Sequence, residues 1–328
     1  MSSIRISCPM FFLSFKHVFI ALLLLQGAWA NAQADLVRLV IAFPPGGSSD
    51  ILARAVADQL SKETNQKVVV ENRPGGNGAV AAQFVSNAPA DGKTLWLTTS
   101  GAASINPVLY PKLSYAMSSF VPVSLVANTP ELLVVNSKNP AVDAKQFVQN
   151  AATQKSGSNI VSSGIGSLPH MAIALFSDST KVSFTHIPSK GAAPAITDVM
   201  GGHVDGFFGD ISGVLSHIKA GNLKALGIGS TKRHPLLPEV KTFEEMGYKG
   251  VELNNWSAVF VAKNVPPGVV LDLNRALRNV IDNASVRAKL EQSGIELQAS
   301  SPDELATLVQ ADLARWKRII AAHDIKPE

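Results

Sequence analysis

The chain has 328 residues, of which 46% are hydrophobic and 16% charged, and 29 Lys and Arg against 25 Asp and Glu give a formal net charge of +4. This composition excludes a disordered chain, a collagen and a coiled coil. Its length, with 24 Gly and 19 Pro, predicts a two-domain globular protein rich in turns. Aromatic residues make up 6%, and basic residues form no block, which argues against a nucleic-acid groove.

The N-terminus has the pattern of a secretory leader. Arg5 and Lys16 precede the apolar run 18–25, and Ala28-Trp29-Ala30 follows it. The run is too short to span a bilayer, and small residues stand where signal peptidase needs them. We therefore predict a signal peptide over residues 1–30. Ala32-Gln33-Ala34 is a second possible cleavage site, and an uncleaved anchor is the alternative.

The single cysteine supports export of a soluble protein. Cys8 lies inside the leader, so the mature chain has no cysteine and forms no disulfide. A lipid-attachment cysteine would directly follow the apolar run, whereas Cys8 precedes it. The prediction is a soluble, periplasmic protein.

The first elements after the leader repeat a strand–loop–helix unit. The apolar run 36–43 predicts a buried strand, and Leu52, Val56 and Leu60 share one stripe of a helix with Ser48 or Ser49 as N-cap. Then come a strand over 67–71, a loop over 72–78, a helix over 79–85 and a strand over 94–98. This order predicts a βαβαβ unit with a parallel sheet.

A second alternating series begins near Glu131. Its predicted strands cover 132–135, 159–162, 182–187, 204–208 and 223–228, and its helices 144–152, 168–176, 192–200 and 211–219. The chain returns with an apolar run over 256–262 and helices over 269–283, 285–292 and 302–322. We predict an α/β fold of two doubly wound lobes, with residues 131–252 inserted between 31–130 and 253–328, and a ligand cleft between the lobes.

Three strand-to-helix junctions are rich in Gly, Ser and Pro. They are residues 44–50, 162–167 and 189–194. Each would present free N–H groups at a helix start, which carry partial positive charge and suit a carboxylate or phosphate. A tight turn with a cap explains any one of them equally well. Three in two lobes favour a shared anion site.

The sequence carries no pattern that predicts a cofactor, metal or catalytic centre. Gly76-x-Gly78-x-x-Ala81 and Gly164-x-Gly166 match the dinucleotide fingerprint only in part. There is no Gly-x-Ser-x-Gly elbow and no paired metal-ligand spacing among the scattered histidines. We keep His170, in the first turn of the helix capped by Ser167, as a candidate hydrogen-bond donor to a bound anion. Asp210, at a strand end, is either an N-cap or a ligand contact.

Several motifs together resemble one family. They are Phe43 to Asp50, Glu71 to Gly78, Ile105-Asn106-Pro107, Ser163 to Ser167 with His170, and Lys219 to Leu226. They are similar to those of the Bug family, the TctC-like solute-binding proteins of tripartite tricarboxylate transporters. The resemblance covers the mature chain and implies a type 2 periplasmic-binding fold that closes on a small carboxylate, with a two-subunit membrane permease as partner.

Two stretches depart from the family pattern. The family usually has Pro-Tyr-Lys-Gly where this chain has Pro188-Ser189-Lys190-Gly191. An aspartate-bearing stretch of the family is Ala116-Met117-Ser118-Ser119 here. The first departure touches an expected pocket wall, so it bears on ligand identity.

The resulting prediction is a monomeric, non-enzymatic periplasmic protein without a cofactor that binds a mono- or dicarboxylate. Most of the predicted ligand-binding residues would donate hydrogen bonds, and Phe43 would pack on the ligand. The full set is Phe43, Gly46, Gly47, Ser48, Ser100, Ser163, Gly164, Ser167, His170, Gly191, Ala192 and Asp210. Two alternatives remain open: a ligand-sensing subunit for a membrane receptor kinase, and a secreted enzyme acting on a carboxylate.

Overall fold

The structure, a computed structural model, describes residues 36–153 and 157–327. The predicted leader, its cleavage sites and Cys8 lie outside these residues. Ten strands and ten helices are described here. The strands are β1 (Leu36–Ile41), β2 (Lys67–Asn72), β3 (Thr94–Thr99), β4 (Phe120–Asn136), β5 (Ser158–Ser162), β6 (Phe184–Pro188), β7 (Gly206–Asp210), β8 (Leu223–Ile228), β9 (Asn254–Ala262) and β10 (Glu296–Leu297).

The helices connect these strands in the alternation that the sequence predicts. They are α1 (Ser48–Thr64), α2 (Ala79–Ser86), α3 (Asn106–Leu109), α4 (Ala144–Thr153), α5 (Leu168–Thr180), α6 (Ala192–Gly201), α7 (Ile211–Lys219), α8 (Pro267–Asp282), α9 (Ala284–Glu291) and α10 (Pro302–Ala322). A π-helical turn over Gly101–Ile105 precedes α3. The predicted elements are therefore present, and all except the strand predicted over 132–135 differ from the prediction only by small shifts at their ends.

The strands form a mixed sheet in the order β2-β1-β3-β9-β4-β7-β5-β6, with β8 and β10 also paired to β4. β1 and β3 are parallel, as are β5 with β6 and β5 with β7. β9 runs antiparallel to β3 and β4, so the sheet is not purely parallel as the βαβ units suggested.

Strand β4 is much longer than the predicted strand over 132–135. Its first part, up to Pro130, pairs with β9. From Glu131 onward it pairs with β7 and β8. Pro122 and Pro130, together with two register irregularities against β9, interrupt the ladder. Hydrophobic periodicity alone therefore does not predict the full strand.

Both faces of the sheet are covered, which explains the continuous apolar runs. Leu39 and Ile41 of β1 pack in one cluster with α1 and α8, whereas Val40 between them packs in another with Trp96. In β4, Leu133 and Val135 face the cluster around Phe176, and Leu132 and Val134 face the cluster around Phe207. Strands buried on both sides need apolar residues at every position.

Candidate functional site

The β1–α1 loop is held by the carboxylate of Asp50. Asp50 Oδ2 accepts from the Gly46 N–H at 3.0 Å and from Arg54 Nε at 2.8 Å, and Oδ1 accepts from Asn72 Nδ2 at 2.9 Å. The hydrogen bond from Arg54 is the largest cause that lowers the Asp50 pKa, to about 2. Gly46 has φ +91°, a conformation for which glycine is favoured. The loop is thus held by a carboxylate that is charged at neutral pH.

The predicted serine N-cap of α1 is wrong. Gly47 occupies the N-cap position without a side-chain cap bond, and Ser48 and Ser49 lie within the first turn. The backbone turns into the helix earlier because the Gly47 carbonyl accepts from the N–H groups of Asp50 and Ile51, both at 3.0 Å. The Ser48 hydroxyl is therefore available for other contacts.

Ser48 meets the second series of elements. Its Oγ accepts a hydrogen bond from Ser212 Oγ at 3.0 Å, and Ser212 lies in the first turn of α7. The starts of α1 and α7 therefore lie side by side. The partial positive charges of two helix N-termini converge on one region.

A polar chain connects the ends of β3, β9 and β7. Ser100, fully buried, donates to Asn255 Oδ1 at 3.2 Å. Asn255 Nδ2 lies 3.1 Å from each carboxyl oxygen of Asp210. The structure thus brings two predicted residues, Ser100 and Asp210, to one network through Asn255, which the sequence reasoning did not single out.

Asp210 stands at the N-cap position of α7, but its side chain makes no capping hydrogen bond. It pairs across the ladder with Glu131 of β4. Burial raises the pKa of Asp210 to about 7. Burial, with the charge of Asp210 added, also raises the pKa of Glu131 well above its usual range. Two carboxyl groups thus lie in a region that resists their ionisation.

The β5–α5 loop uses most of its polar groups internally. Ser167 caps α5 by accepting from the His170 N–H, as predicted, and its hydroxyl donates to the Gly164 carbonyl at 2.6 Å. The Gly164 N–H donates to Ser162 Oγ at 3.1 Å. Ser163 is half-buried. A ligand here would compete with Ser162 for the Gly164 N–H.

The β6–α6 junction lies against this loop. The Ser189 N–H donates to the Ser162 carbonyl at 3.1 Å. A Cβ built on Gly164 would lie 3.3 Å from the Ser189 carbonyl oxygen, so the two loops are closely packed. Gly191 is the N-cap of α6 with φ +117°, and Ala192 is exposed at the start of that helix. Two of the three predicted anion-binding junctions are therefore in direct contact.

His170 does not lie with the other predicted ligand-binding residues. Its ring stacks on His186 with centroids 3.7 Å apart, and its Nδ1 accepts from the Gly166 N–H at 3.3 Å. Both rings line a cavity of about 410 Å³ with α5 residues, β6 residues and His323, and no other predicted ligand-binding residue is among that cavity's described lining. Burial lowers the pKa of both His170 and His186 to about 4, so their rings are neutral at pH 7.

Phe43, the predicted packing residue, is half-buried and lies against the cluster that contains Val40 and Trp96. Its carbonyl accepts from Asn72 Nδ2 at 2.9 Å. Glu131, Asn255 and Ser212 are the residues that sequence reasoning missed. Glu131 is the only charged position in the run 120–137, and this isolation was the one signal that could have marked it.

The described residues also bear on membrane and metal binding. Within residues 36–153 and 157–327, no helix is long and apolar enough to cross a membrane. The same part of the chain contains no group of three or more His, Cys, Asp or Glu side chains placed to hold a metal ion.

The mixed sheet with interleaved helices matches solved periplasmic-binding proteins with TM-scores of 0.79 to 0.83, so the chain has the type 2 periplasmic-binding fold. The profile of the tripartite tricarboxylate transporter family receptors, TctC, matches residues 52–325. The chain therefore belongs to this family.

Individual relatives agree over nearly the full length. Protein BugT of Bordetella pertussis is 31% identical over 286 residues, covering 87% of this chain and 88% of BugT. The structure of Rpa4515 from R. palustris with adipate has 31% identity and a TM-score of 0.83, covering 89% of this chain and 98% of that one. MatC from Rhodopseudomonas palustris with bound malate has 30% identity and a TM-score of 0.78, covering 87% and 98%. The Bug resemblance and the fold class are thereby confirmed.

Proposed function

We propose that this protein is the periplasmic receptor of a tripartite tricarboxylate-type transporter and binds a small mono- or dicarboxylate between two α/β lobes. The observation that carries the proposal is the hydrogen bond between Ser48 and Ser212, which brings the N-termini of α1 and α7 together. Helix N-termini present N–H groups and partial positive charge to an anion. The relatives bound to adipate and malate support a carboxylate as that anion.

The lobes of the proposal are residues 31–130 with 253–328, and residues 131–252. The change of partners in β4 between Pro130 and Glu131 supports this boundary, because each part of the strand belongs to a different set of pairings. Ser48 and Ser100 lie in the first lobe, and Asp210 and Gly191 in the second. Closure of the lobes around a ligand would bring the two sets onto it.

The proposal has three further parts: the protein does not convert its ligand, it is exported, and it delivers the ligand to a transporter. The protein acts as a monomer, without a cofactor, and hands its ligand to the membrane subunits of the transporter. Its leader directs export to the periplasm and is then removed. N-terminal sequencing of exported protein should give Asn31, or Asp35 if the second site is used; an intact leader in the membrane fraction would contradict this part.

A thermal-shift screen of mono- and dicarboxylates of two to ten carbons, including malate and adipate, tests the binding function. A ligand at 100 times its dissociation constant adds about 2.7 kcal/mol to the free energy of unfolding. We expect at least one carboxylate to raise the melting temperature, and the matched diols and diamides to have no effect. Recovery of the ligand unchanged after prolonged incubation checks the absence of turnover. A screen in which no carboxylate shifts the transition would contradict the proposal.

Ser189 offers a test of ligand size. It is half-buried and packs beside Gly164, where the family pattern has tyrosine. A serine leaves volume that a phenol ring would fill, so we propose that the site accepts a bulkier or more apolar carboxylate than its tyrosine-bearing relatives, or else holds extra water in the gap. In Ser189→Tyr, the longest carboxylates should bind about tenfold more weakly through overpacking, with the shortest unaffected. A uniform change along the series would exclude Ser189 as a determinant of specificity.

A further inference from the structure

Glu131 and Asp210 face each other across the ladder between β4 and β7. They are direct partners in the antiparallel register. Directly opposite residues of such a pair project from the same face of the sheet, with Cβ atoms about 4.5–5.5 Å apart. Glu131 is 1% exposed, and its Oε2 has no hydrogen-bond partner among the described residues. The two carboxyl groups are therefore neighbours in a poorly solvated place.

Among the described residues, no hydrogen bond or ion pair brings a basic side chain to either carboxyl group of this pair. Asn255 of β9 donates to Asp210, and Ser100 donates to Asn255, so both neighbours on that side are neutral. On the helix side, α7 contributes Ile211 and Ser212, which are also uncharged. No ion pair within residues 36–153 and 157–327 includes either carboxyl group. Among the described residues, the charge that raises the pKa of Glu131 is that of Asp210.

Two like charges in such a site cannot both be present near neutral pH without a large cost. Paired carboxyl groups respond by sharing or retaining protons, and they titrate as a unit. Burial raises the pKa of both groups, and that of Asp210 to about 7. Asp210 is the less buried of the two side chains, so it is the group through which the pair exchanges a proton with solvent.

Asp210 lies where the proposed ligand would sit. It directly precedes α7, and Ser212 two residues later reaches Ser48 at the start of α1. We propose that Asp210, with Glu131 behind it, takes up a proton from solvent when an anion binds at these helix starts, so that the protein captures its carboxylate together with a proton. This inference rests on the proposed function.

The direction of the pH dependence follows from linkage. An anion beside Asp210 favours its neutral form, so ligand binding draws in up to one proton, and a higher proton concentration strengthens ligand binding by the same coupling. The protonated carboxyl can also donate its O–H to the ligand carboxylate. Affinity should therefore fall as pH rises through about 7, the pKa of Asp210.

Calorimetric titration of the full-length mature protein with adipate and with malate tests this. Titrations at pH 7.5 in two buffers with different heats of ionisation count the protons taken up per ligand. A second series measures the dissociation constant from pH 6.5 to 8.5, where the ligand carboxylates are ionised and His170 and His186, with pKa values near 4, do not titrate. For the wild type we expect a measurable fraction of one proton and a dissociation constant that rises about fivefold to tenfold.

Three variants distinguish a loss of proton uptake from a general effect of the substitution on the structure. Asp210→Asn should take up no proton and bind with the same affinity across the pH range, at least as tightly as the wild type at pH 8.5. Glu131→Gln keeps the shape of the neutral acid and leaves Asp210 as the titrating member of the pair, so proton uptake should persist in this variant. Glu239→Gln removes one charge at an exposed position and should also match the wild type.

Proton uptake that is lost only in Asp210→Asn supports the inference. Binding without proton uptake in the wild type, or a uniform loss of affinity in Asp210→Asn at every pH, would overturn it while leaving the proposed function intact. If neither ligand binds at any pH, the proposed function is in question for these ligands, and carboxyl carbon NMR of the unliganded protein decides: an Asp210 signal that titrates below pH 5 excludes the raised proton affinity on which the inference depends.

Discussion

Two aspartates at helix starts in this protein have pKa values that are shifted in opposite directions. At the beginning of α1, Asp50 receives hydrogen bonds from Gly46, Arg54 and Asn72, and its pKa falls to about 2. At the beginning of α7, Asp210 accepts hydrogen bonds from the neutral amide of Asn255, and burial raises its pKa to about 7. The same residue type is a fixed structural charge in one place and a proton-exchanging group in the other. Neighbours, and not residue type, decide the role.

The largest expected effect comes from removing the fixed charge. Asp50→Ala leaves the Gly46 N–H and Asn72 Nδ2 without their acceptor and releases Arg54, so the free energy of unfolding should fall by about 2–3 kcal/mol. Urea denaturation at pH 7 measures it. Asp58→Asn, an exposed position on the same helix, should change stability by less than about 0.5 kcal/mol. Equal stability of Asp50→Ala and wild type would show that the loop does not depend on this anchor.

Next in size is a change beside the anchor that leaves the anchor itself intact. Gly47 has φ −83°, and a Cβ there meets no atom within 4 Å, so Gly47→Val should fold normally. The added side chain would cover the N–H groups at the start of α1 and weaken carboxylate binding more than tenfold, which is about 1.4 kcal/mol. In calorimetry, the carboxylate affinity of Gly47→Ala should lie between those of the wild type and Gly47→Val. Undiminished affinity in the valine variant would remove this loop from the ligand site.

The two aspartates should also give opposite pH dependence of stability. The raised pKa of Asp210 means that the folded state holds its proton above the unfolded pKa of about 4, so its contribution to stability falls as pH rises from about 4 to 7. Asp210→Asn should therefore be more stable than the wild type at pH 8 and similar to it at pH 4. Asp50 contributes stability above pH 4 that is lost as pH falls toward 2.

Denaturation of both aspartate variants at pH 3, 4, 6 and 8 measures these curves. The difference between Asp50→Ala and wild type should shrink toward acid pH, whereas the difference between Asp210→Asn and wild type should grow toward alkaline pH. Parallel curves for the two variants would contradict the comparison.

The smallest expected effect concerns the contact between the two helix starts. Ser212→Ala removes the hydrogen-bond donor to Ser48 at a half-buried position. The free energy of unfolding should therefore fall by at most about 1 kcal/mol. Ser216→Ala, an exposed residue on the same helix, is the matched control. If the contact helps to form the ligand site, Ser212→Ala should also weaken carboxylate binding a few-fold, and Ser216→Ala should not.

Much of the architecture could be predicted because it depends on local pattern. The helix over Ile211–Lys219 and the strand over Leu223–Ile228 have the bounds that periodicity and turn residues indicate. Strand β4 was predicted at less than half its length, because two prolines and its irregular pairing with β9 obscure the pattern. Its pairing with β10, β9, β7 and β8 depends on residues that are distant in sequence, which no local window contains.

The sequence by itself determined the alternation of elements, the glycine- and serine-rich turns after the strands, and the family resemblance, since all of these follow from the type and spacing of neighbouring residues. Tertiary structure alone decided which polar groups remain available. The Gly164 N–H is used by Ser162, His170 stacks on His186, and Asp210 faces Glu131, 79 positions earlier in the chain. Hydrogen bonding, burial and charge repulsion act between atoms that are close in space, so the chemistry of these groups depends on partners that sequence spacing does not reveal.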